Sequence, residues 1–166
     1  MHIPSPNSFE QSVADELGVP LSFVQSATFL LNRTARIGTV LLDSGLKPLG
    51  LTRQEVGIMR IIAEKGPRTQ QDIAKINWSD RTTIVNLLDG LEEKGLTIRT
   101  KNQQDRRSHI IFLTPKGNKV FSRAKRIIQK KLDQFLTPLD TTELASLKLS
   151  LLKILSHHNS LTDFQK

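Results

Sequence analysis

Two short segments of this 166-residue chain carry side chains whose types and spacing suit contact with a polyanion. In the first, Ser79 to Gly95, an apolar stripe of Ile84, Leu87, Leu88 and Leu91 leaves Thr82, Asn86, Asp89 and Glu93 opposite it. Thr82 and Asn86 lie toward the N-terminal end, where a hydroxyl and an amide can hydrogen-bond base edges in a major groove. The N–H groups of the first turn favour phosphate there. Asp89 and Glu93 belong outside such a groove. Arg81 flanks the face and suits phosphate, with a bidentate guanine contact also open. An ordinary solvated helix face is the competing reading. The second segment is Gln104-Asp105-Arg106-Arg107. An arginine at the end of a short ribbon can enter a narrow, A·T-rich minor groove, and Asp105 could orient the Arg107 fork. The alternative is a solvated turn with exposed pairing worth about 0–1 kcal/mol.

These segments must be held by a scaffold, and the periodicity describes it. Pro4, Pro6, Gly18 and Pro20 punctuate an N-terminal arm, residues 1–20, with a short helix near Phe9 to Leu17. From about Leu21 to Asp43, the spacing of Phe23, Ala27, Leu30, Ile37 and Leu41 predicts one amphipathic helix, ended by Gly45, Pro48 and Gly50. Thr52 with Glu55 is a capping box, and Val56, Met59, Ile62 and Ala63 form the stripe of the helix it opens. Thr69 with Asp72 caps a short helix through Ile73 and Ala74, Asn77-Trp78 is a turn, and Ser79 can cap the next helix, ending at Gly95. Three closely joined, capped helices read as a helix-turn-helix. The period then changes: Leu96 and Ile98, then His109 to Leu113, flank the polar stretch Lys101 to Ser108 as a β-hairpin with a basic tip. Pro115 opens a long helix with Phe121, Ala124, Ile128, Leu132 and Phe135 in register. Pro138 stops it, and Asp140 with Glu143 starts a last helix with the narrow stripe Leu144, Leu147, Leu151 and Leu155.

The fold class that follows is mainly α (α+β): a winged helix-turn-helix with a two-stranded β-wing, plus long N- and C-terminal helices as a dimerisation region. The expected organisation is an arm over 1–20, a DNA-binding lobe over 48–114, and a helical dimerisation region over 21–47 and 115–160. Leu144, Leu147, Leu151 and Leu155 are candidate dimer contacts, because a small lobe offers this last stripe no internal partner. Between Arg99 and Lys131, eleven Lys and Arg face one acid, Asp105. That local excess of +10 sits within a formal charge of +8, so the remainder is mildly acidic at −2. A basic local face favours nucleic acid through counterion release. The chain has no cysteine, which excludes disulfides and thiol redox sensing. Met1 to Pro6 lacks a signal-peptide pattern and no apolar run approaches about 18 residues, so a cytoplasmic protein with no membrane partner is expected.

The linked motifs Leu88-Asp89-Gly90-Leu91-Glu92-Glu93-Lys94-Gly95-Leu96, Asp105-Arg106-Arg107 and Leu113-Thr114-Pro115-Lys116-Gly117, with Leu51-Thr52 through Gly66 ahead of them, closely resemble the multiple-antibiotic-resistance regulator (MarR) family. The resemblance spans most of the chain. It implies a sequence-specific double-stranded-DNA-binding transcriptional regulator, a homodimeric repressor on a pseudo-palindromic operator. It implies that the first helix, with Phe23, Ala27 and Leu30, and the last two build the dimer interface, that Arg107 is the wing arginine and that Asp105 is its acidic partner. It also implies release by a small aromatic or anionic effector bound between the dimer helices and the DNA-binding lobe. No pocket residue is assigned, although Arg33 and Arg36 could face such a crevice.

The candidate DNA-binding residues are therefore Thr69, Ser79, Arg81, Thr82, Thr83, Asn86, Arg99, Lys101, Asp105, Arg106 and Arg107. No cofactor and no metal site is expected: His2, His109, His157 and His158 are scattered or terminal. Asp105, Ser108 and His109 could be read as a hydrolase set, but a triad needs its base fixed by a buried acid and these lie at a hairpin tip. An enzyme is not expected. The remaining rival is a winged-helix module for protein or RNA contacts.

Overall fold

The computed structural model describes residues 6–77, 79–103, 105 and 108–158. Its helices are α1 (Pro6–Leu17), α2 (Leu21–Val24), α3 (Ala27–Leu46), α4 (Arg53–Lys65), α5 (Gln70–Asn77), α6 (Arg81–Glu93), α7 (Pro115–Leu136) and α8 (Thr141–His157). Its strands are β1 (Arg68–Thr69), β2 (Thr97–Lys101) and β3 (His109–Leu113). None of the described helices is long and apolar enough to cross a membrane. The chain divides into two compact units, Met1–Leu41 and Leu42–Lys166.

In the first unit, α1 packs on α2, and Ala14 and Val24 are buried. Gly18, at φ +64°, lets the chain reverse after α1 while the Val19 N–H donates to the Ala14 carbonyl at 3.0 Å. The single helix expected from Leu21 to Asp43 is two helices. The break lies at Gln25 and Ser26, because the Ser26 hydroxyl accepts from the Phe29 N–H at 3.4 Å and so starts a new helix. The Phe23 and Phe29 rings meet across this break, centroids 5.2 Å apart. The apolar spacing continues through the break, which is why periodicity alone merges the two.

In the second unit, α3 runs on to Leu46, past Gly45, and a single 3-10 turn over Lys47–Leu49 ends at Gly50 in the left-handed conformation. Gly45 stays within the helix, and its missing side chain leaves room for Ile127 and Lys131 of α7: a Cβ there would lie 2.9 Å from Ile127 Cγ2. The Thr52–Glu55 capping box opens α4 as expected, and Val56, Ile58, Met59 and Ile62 enter the core. Ala63, expected on that stripe, is exposed. The same core receives Ile73 of α5, Ile84, Leu88 and Leu91 of α6, Ile111 of β3, and Phe121 and Ala124 of α7. Burying this many branched side chains is the main force holding four helices on one small sheet.

The wing is an antiparallel β2–β3 hairpin, with Thr97 opposite Leu113 and Lys101 opposite His109. A third strand, two residues long, pairs Arg68 with Ile111 and Thr69 with Ile110, giving the order β1-β3-β2. Two residues are too few to show a period of two, so β1 has no sequence signature. Thr114 caps α7 by accepting from the Gly117 N–H at 2.9 Å, with Pro115 in the first turn. Asp140 and Glu143 form the expected capping box of α8, and none of the residues of α8 is buried: Leu144 and Leu151 are half-buried, and Leu147 and Leu155 are exposed.

Two glycines separate steric need from convenience. Gly117 sits against the Leu96 backbone, and a Cβ there would penetrate the Leu96 carbonyl. Gly57, inside α4, has only Asn77 Oδ1 nearby, at 3.6 Å. Gly117→Ala is therefore expected to destabilise the protein by about 3 kcal/mol or more, and Gly57→Ala to stabilise it by about 0.5–1 kcal/mol through helix propensity. Urea unfolding of the two variants reads both signs, and a Gly117→Ala protein as stable as wild type contradicts the close approach.

Candidate nucleic-acid interface

The helix-turn-helix is α5 and α6, joined through 78–80. Thr69 opens α5: its hydroxyl accepts from the Asp72 N–H at 3.2 Å and donates to Asp72 Oδ2 at 2.7 Å. The cap of α6 is Asp80 and not Ser79. Asp80 accepts from the Thr83 N–H at 2.9 Å and from the Thr83 hydroxyl at 2.6 Å. Ser79 instead closes the turn, accepting from Asn77 Nδ2 at 2.9 Å and donating to the Asn77 carbonyl at 3.3 Å. Serine and aspartate are equally good caps, so the sequence Ser-Asp leaves the choice to the turn geometry.

The inward face of α6 is Ile84, Leu88 and Leu91, and Arg81, Thr82, Asn86 and Glu93 are exposed, the division expected from periodicity. Asp89 is half-buried, held by Arg99 of β2. The Arg99 guanidinium bonds Asp89 through one nitrogen and Glu92 Oε2 through another at 2.9 Å. The Arg99 backbone N–H also donates to Glu92 Oε1 at 3.3 Å. Sequence reasoning placed Arg99 on DNA; in the fold its fork is already filled by two carboxylates.

A network missed in the sequence anchors the end of α6. Lys94 Nζ reaches Glu55 Oε1 at 2.7 Å and the Gly50 carbonyl at 2.8 Å. The Glu55 side chain is only 6% exposed, and its other oxygen accepts from the Thr52 N–H at 2.8 Å and the Thr52 hydroxyl at 3.2 Å. Lys116 of α7 donates to the Lys94 carbonyl at 2.6 Å. The one available signal was Glu55 itself, a carboxylate within a helix that the core needs on several sides.

Between α5, α6 and the wing lies an open cleft of about 1020 Å³. It is lined by Thr69, Gln70, Gln71, Asp72, Arg81, Arg99, Asn102, Asp105, Ser108 and His109, among others. Thr69, Arg81, Arg99 and Asp105, far apart in sequence, thus share one concave face. Thr82, Asn86 and Lys101 are exposed but do not line it, and Ser79 and Thr83 serve the turn and the cap. Ser108 donates to the Asp105 carbonyl at 3.1 Å and accepts from Asn102 Nδ2 at 2.9 Å, which shapes the turn toward the tip. Gln104, Arg106 and Arg107, and with them the Asp105–Arg107 pairing, lie outside the described residues.

A recognition-type helix with a polar N-terminal half, beside a two-stranded wing within a three-stranded sheet, defines a winged helix-turn-helix. The comparisons agree. The MarR family model matches residues 51–109. Over 151 residues the chain is 32% identical to a Thauera aromatica protein assigned as a transcriptional regulatory protein for the hcr operon, covering 91% of this chain and 85% of that one. The crystal structure of a mutant Escherichia coli MarR complexed with operator DNA is similar at a TM-score of 0.72 and 24% identity, over 76% of this chain and 91% of that one. A Bordetella bronchiseptica BpsR structure, described for regulation of DNA binding by 6-hydroxynicotinic acid, matches at a TM-score of 0.69 and 18% identity, over 75% and 95% of the two chains. The chain belongs to the MarR family of transcriptional regulators.

The start of α6 carries a titratable cap. The Thr83 hydroxyl first, and then its N–H, hold the Asp80 carboxyl below its ordinary 3.8. A carboxyl whose pKa is lowered by folding stabilises the fold above the unfolded value, and that contribution disappears as pH falls through the lowered one. Asp80→Ala is expected to lower the thermal midpoint at neutral pH, with the gap from wild type closing below pH 3.8. Asp80→Asn, which keeps an acceptor for the Thr83 N–H, should retain most of the neutral-pH midpoint. Calorimetry from pH 7 downward reads this, and a gap independent of pH would show that the charged cap is not the source.

Proposed function

We propose that this protein is a sequence-specific double-stranded-DNA-binding transcriptional repressor that acts as a homodimer on a pseudo-palindromic operator and is released by a small aromatic or anionic effector. The observation that carries the reading is α6: its C-terminal half is bound by Arg99 and Lys94, and its N-terminal half presents Arg81, Thr82 and Asn86 outward. Thr82 and Asn86 would meet base edges in the major groove, Arg81 and Thr69 phosphates, and Lys101, Arg106 and Arg107 the wing's groove and backbone. Residues 48–114 form the reading lobe in this scheme, and 21–47 with 115–160 the pairing region, of a protein that works in the cytoplasm. Phe23, Leu30, Leu147 and Leu155 support it, being large apolar side chains left 39–56% exposed in a single chain. Operator binding by the E. coli neighbour and effector control of the Bordetella one support the two remaining parts. An enzyme is not the reading: Ser108, the nearest thing to a nucleophile at the wing, is bonded to the Asp105 carbonyl and the Asn102 amide, not to a base.

DNA binding is tested by selecting a duplex from a random-sequence library and titrating variants against it at several salt concentrations. Asn86→Ala is expected to relax discrimination at one base pair by about 1–3 kcal/mol. Lys101→Ala should weaken every duplex alike and reduce the salt slope by about one. Failure of the wild-type protein to select any sequence would leave a docking module as the reading.

Self-association is tested by sedimentation. A dimer at micromolar concentration is expected, weakened by Leu155→Glu, since a carboxylate buried without a partner opposes the interface. A monomer with full affinity for the selected duplex would refute the pairing.

A further inference from the structure

The function above needs helix and wing to reach DNA together, and their relative angle must be fixed by something. β3 is held on its other side by β1, at Ile110 and Ile111, whereas β2 is the outer strand of the sheet and pairs with β3 alone. Arg99, at the centre of β2, makes a polar connection between that outer strand and α6. Its planar fork takes Asp89 and Glu92, which lie on successive turns of the C-terminal half of α6, while its own N–H takes the second Glu92 oxygen. Two carboxylates gripped by one rigid guanidinium define an orientation as well as a distance.

The local charge argues against a second role for this arginine. Arg99 brings one positive charge to two negative ones, so the cluster carries about −1 overall, the wrong sign for a phosphate. Reaching a phosphate would also cost the guanidinium its bonds and leave Asp89 and Glu92 repelling DNA. Arg81, exposed and lining the same cleft, follows the Asp80 cap, whose two carboxylate oxygens are taken by the Thr83 N–H and hydroxyl.

We propose that Arg99 is a positioning residue for operator reading: by clamping Asp89 and Glu92 it sets the angle between the reading helix and the wing, and it does not itself contact DNA. The inference rests on the DNA-binding reading above. It inverts the usual electrostatic expectation. Removing two negative charges from a DNA-binding face ordinarily strengthens binding to any duplex; here, neutralising Asp89 and Glu92 costs selectivity.

The test uses the full-length chain with its library-selected duplex and a scrambled duplex of the same composition. The variants are Arg99→Gln, Arg99→Lys, Asp89→Asn with Glu92→Gln, and the three substitutions Arg99→Gln, Asp89→Asn and Glu92→Gln together. Each is expected to lose roughly ten-fold in selected-over-scrambled preference, because charge-assisted bonds are lost at a partly exposed site. The combined variant loses no more than either part, since one clamp is broken once. The salt slope of the combined variant, in which neither carboxylate is left uncovered, stays at the wild-type value. Arg99→Lys is the mild case that keeps the fold: a lysine retains the point charge a phosphate needs but cannot bridge two carboxylates, so it too loses preference. The inference is overturned if the combined variant weakens both duplexes equally with a slope lower by about one, if Arg99→Lys is indistinguishable from wild type, or if the carboxylate variant binds both duplexes more tightly with preference intact. If the wild-type chain selects no duplex at all, the DNA-binding reading fails and this inference goes with it.

Discussion

The buried carboxylate of Glu55 sets the terms for the second unit. A charge that is almost fully removed from water must be paired and hydrogen-bonded, or it neutralises itself or the fold gives way. Glu55 meets this with Lys94 on one oxygen and Thr52 on the other. Because Lys94 also holds the Gly50 carbonyl and offers its own carbonyl to Lys116, three chain segments separated by tens of residues meet at one point. These are the junction entering α4, the end of α6 and the first turn of α7. Gly117, in contact with the Leu96 backbone, completes the same junction by letting α7 start directly on the exit from α6.

The consequence is a division of labour along α6. Its C-terminal half carries Asp89, Glu92 and Glu93, acids placed where the helix dipole already brings negative charge, which is unfavourable unless cations answer them. Arg99 answers Asp89 and Glu92, and Lys94 closes the end. The N-terminal half has only the Asp80 cap as an acid, so its free N–H groups and Arg81 leave that end positive. One end is spent on the scaffold and the other is left for a ligand. The polarity matches what an anionic groove requires.

The positive charge of the chain is likewise not one patch. Of the eleven basic residues between Arg99 and Lys131, Arg99 is clamped by carboxylates, Lys116 serves a carbonyl and the Lys131 stem packs 3.3 Å from where a Gly45 Cβ would stand. Lys119, Arg123, Arg126 and Lys130 are exposed along α7, on turns whose inward side chains are Phe121, Ala124 and Ile128. A net charge read from composition therefore overstates the cations free for a polyanion.

Much of this fold is local and so was legible in the chain. The capping boxes at Thr52 and Asp140, the Thr69 cap, the Pro115 start of α7, the three-four spacing of α6 and α7, and the hairpin all depend on residues within about one helical turn or one turn of chain. The linked motifs are local in the same sense and carry the family resemblance. What the sequence could not decide involves contacts across long separations: Lys94 with Glu55, 39 residues apart, Lys116 with the Lys94 carbonyl, 22 apart, and the two-residue strand β1 pairing with β3. Even Arg99 and Asp89, only ten apart, needed the turn of the chain from α6 into β2 to meet. Side-chain type gives a residue its chemistry. Whether an arginine faces a phosphate or a carboxylate depends on which groups the tertiary fold brings within about 3 Å of it.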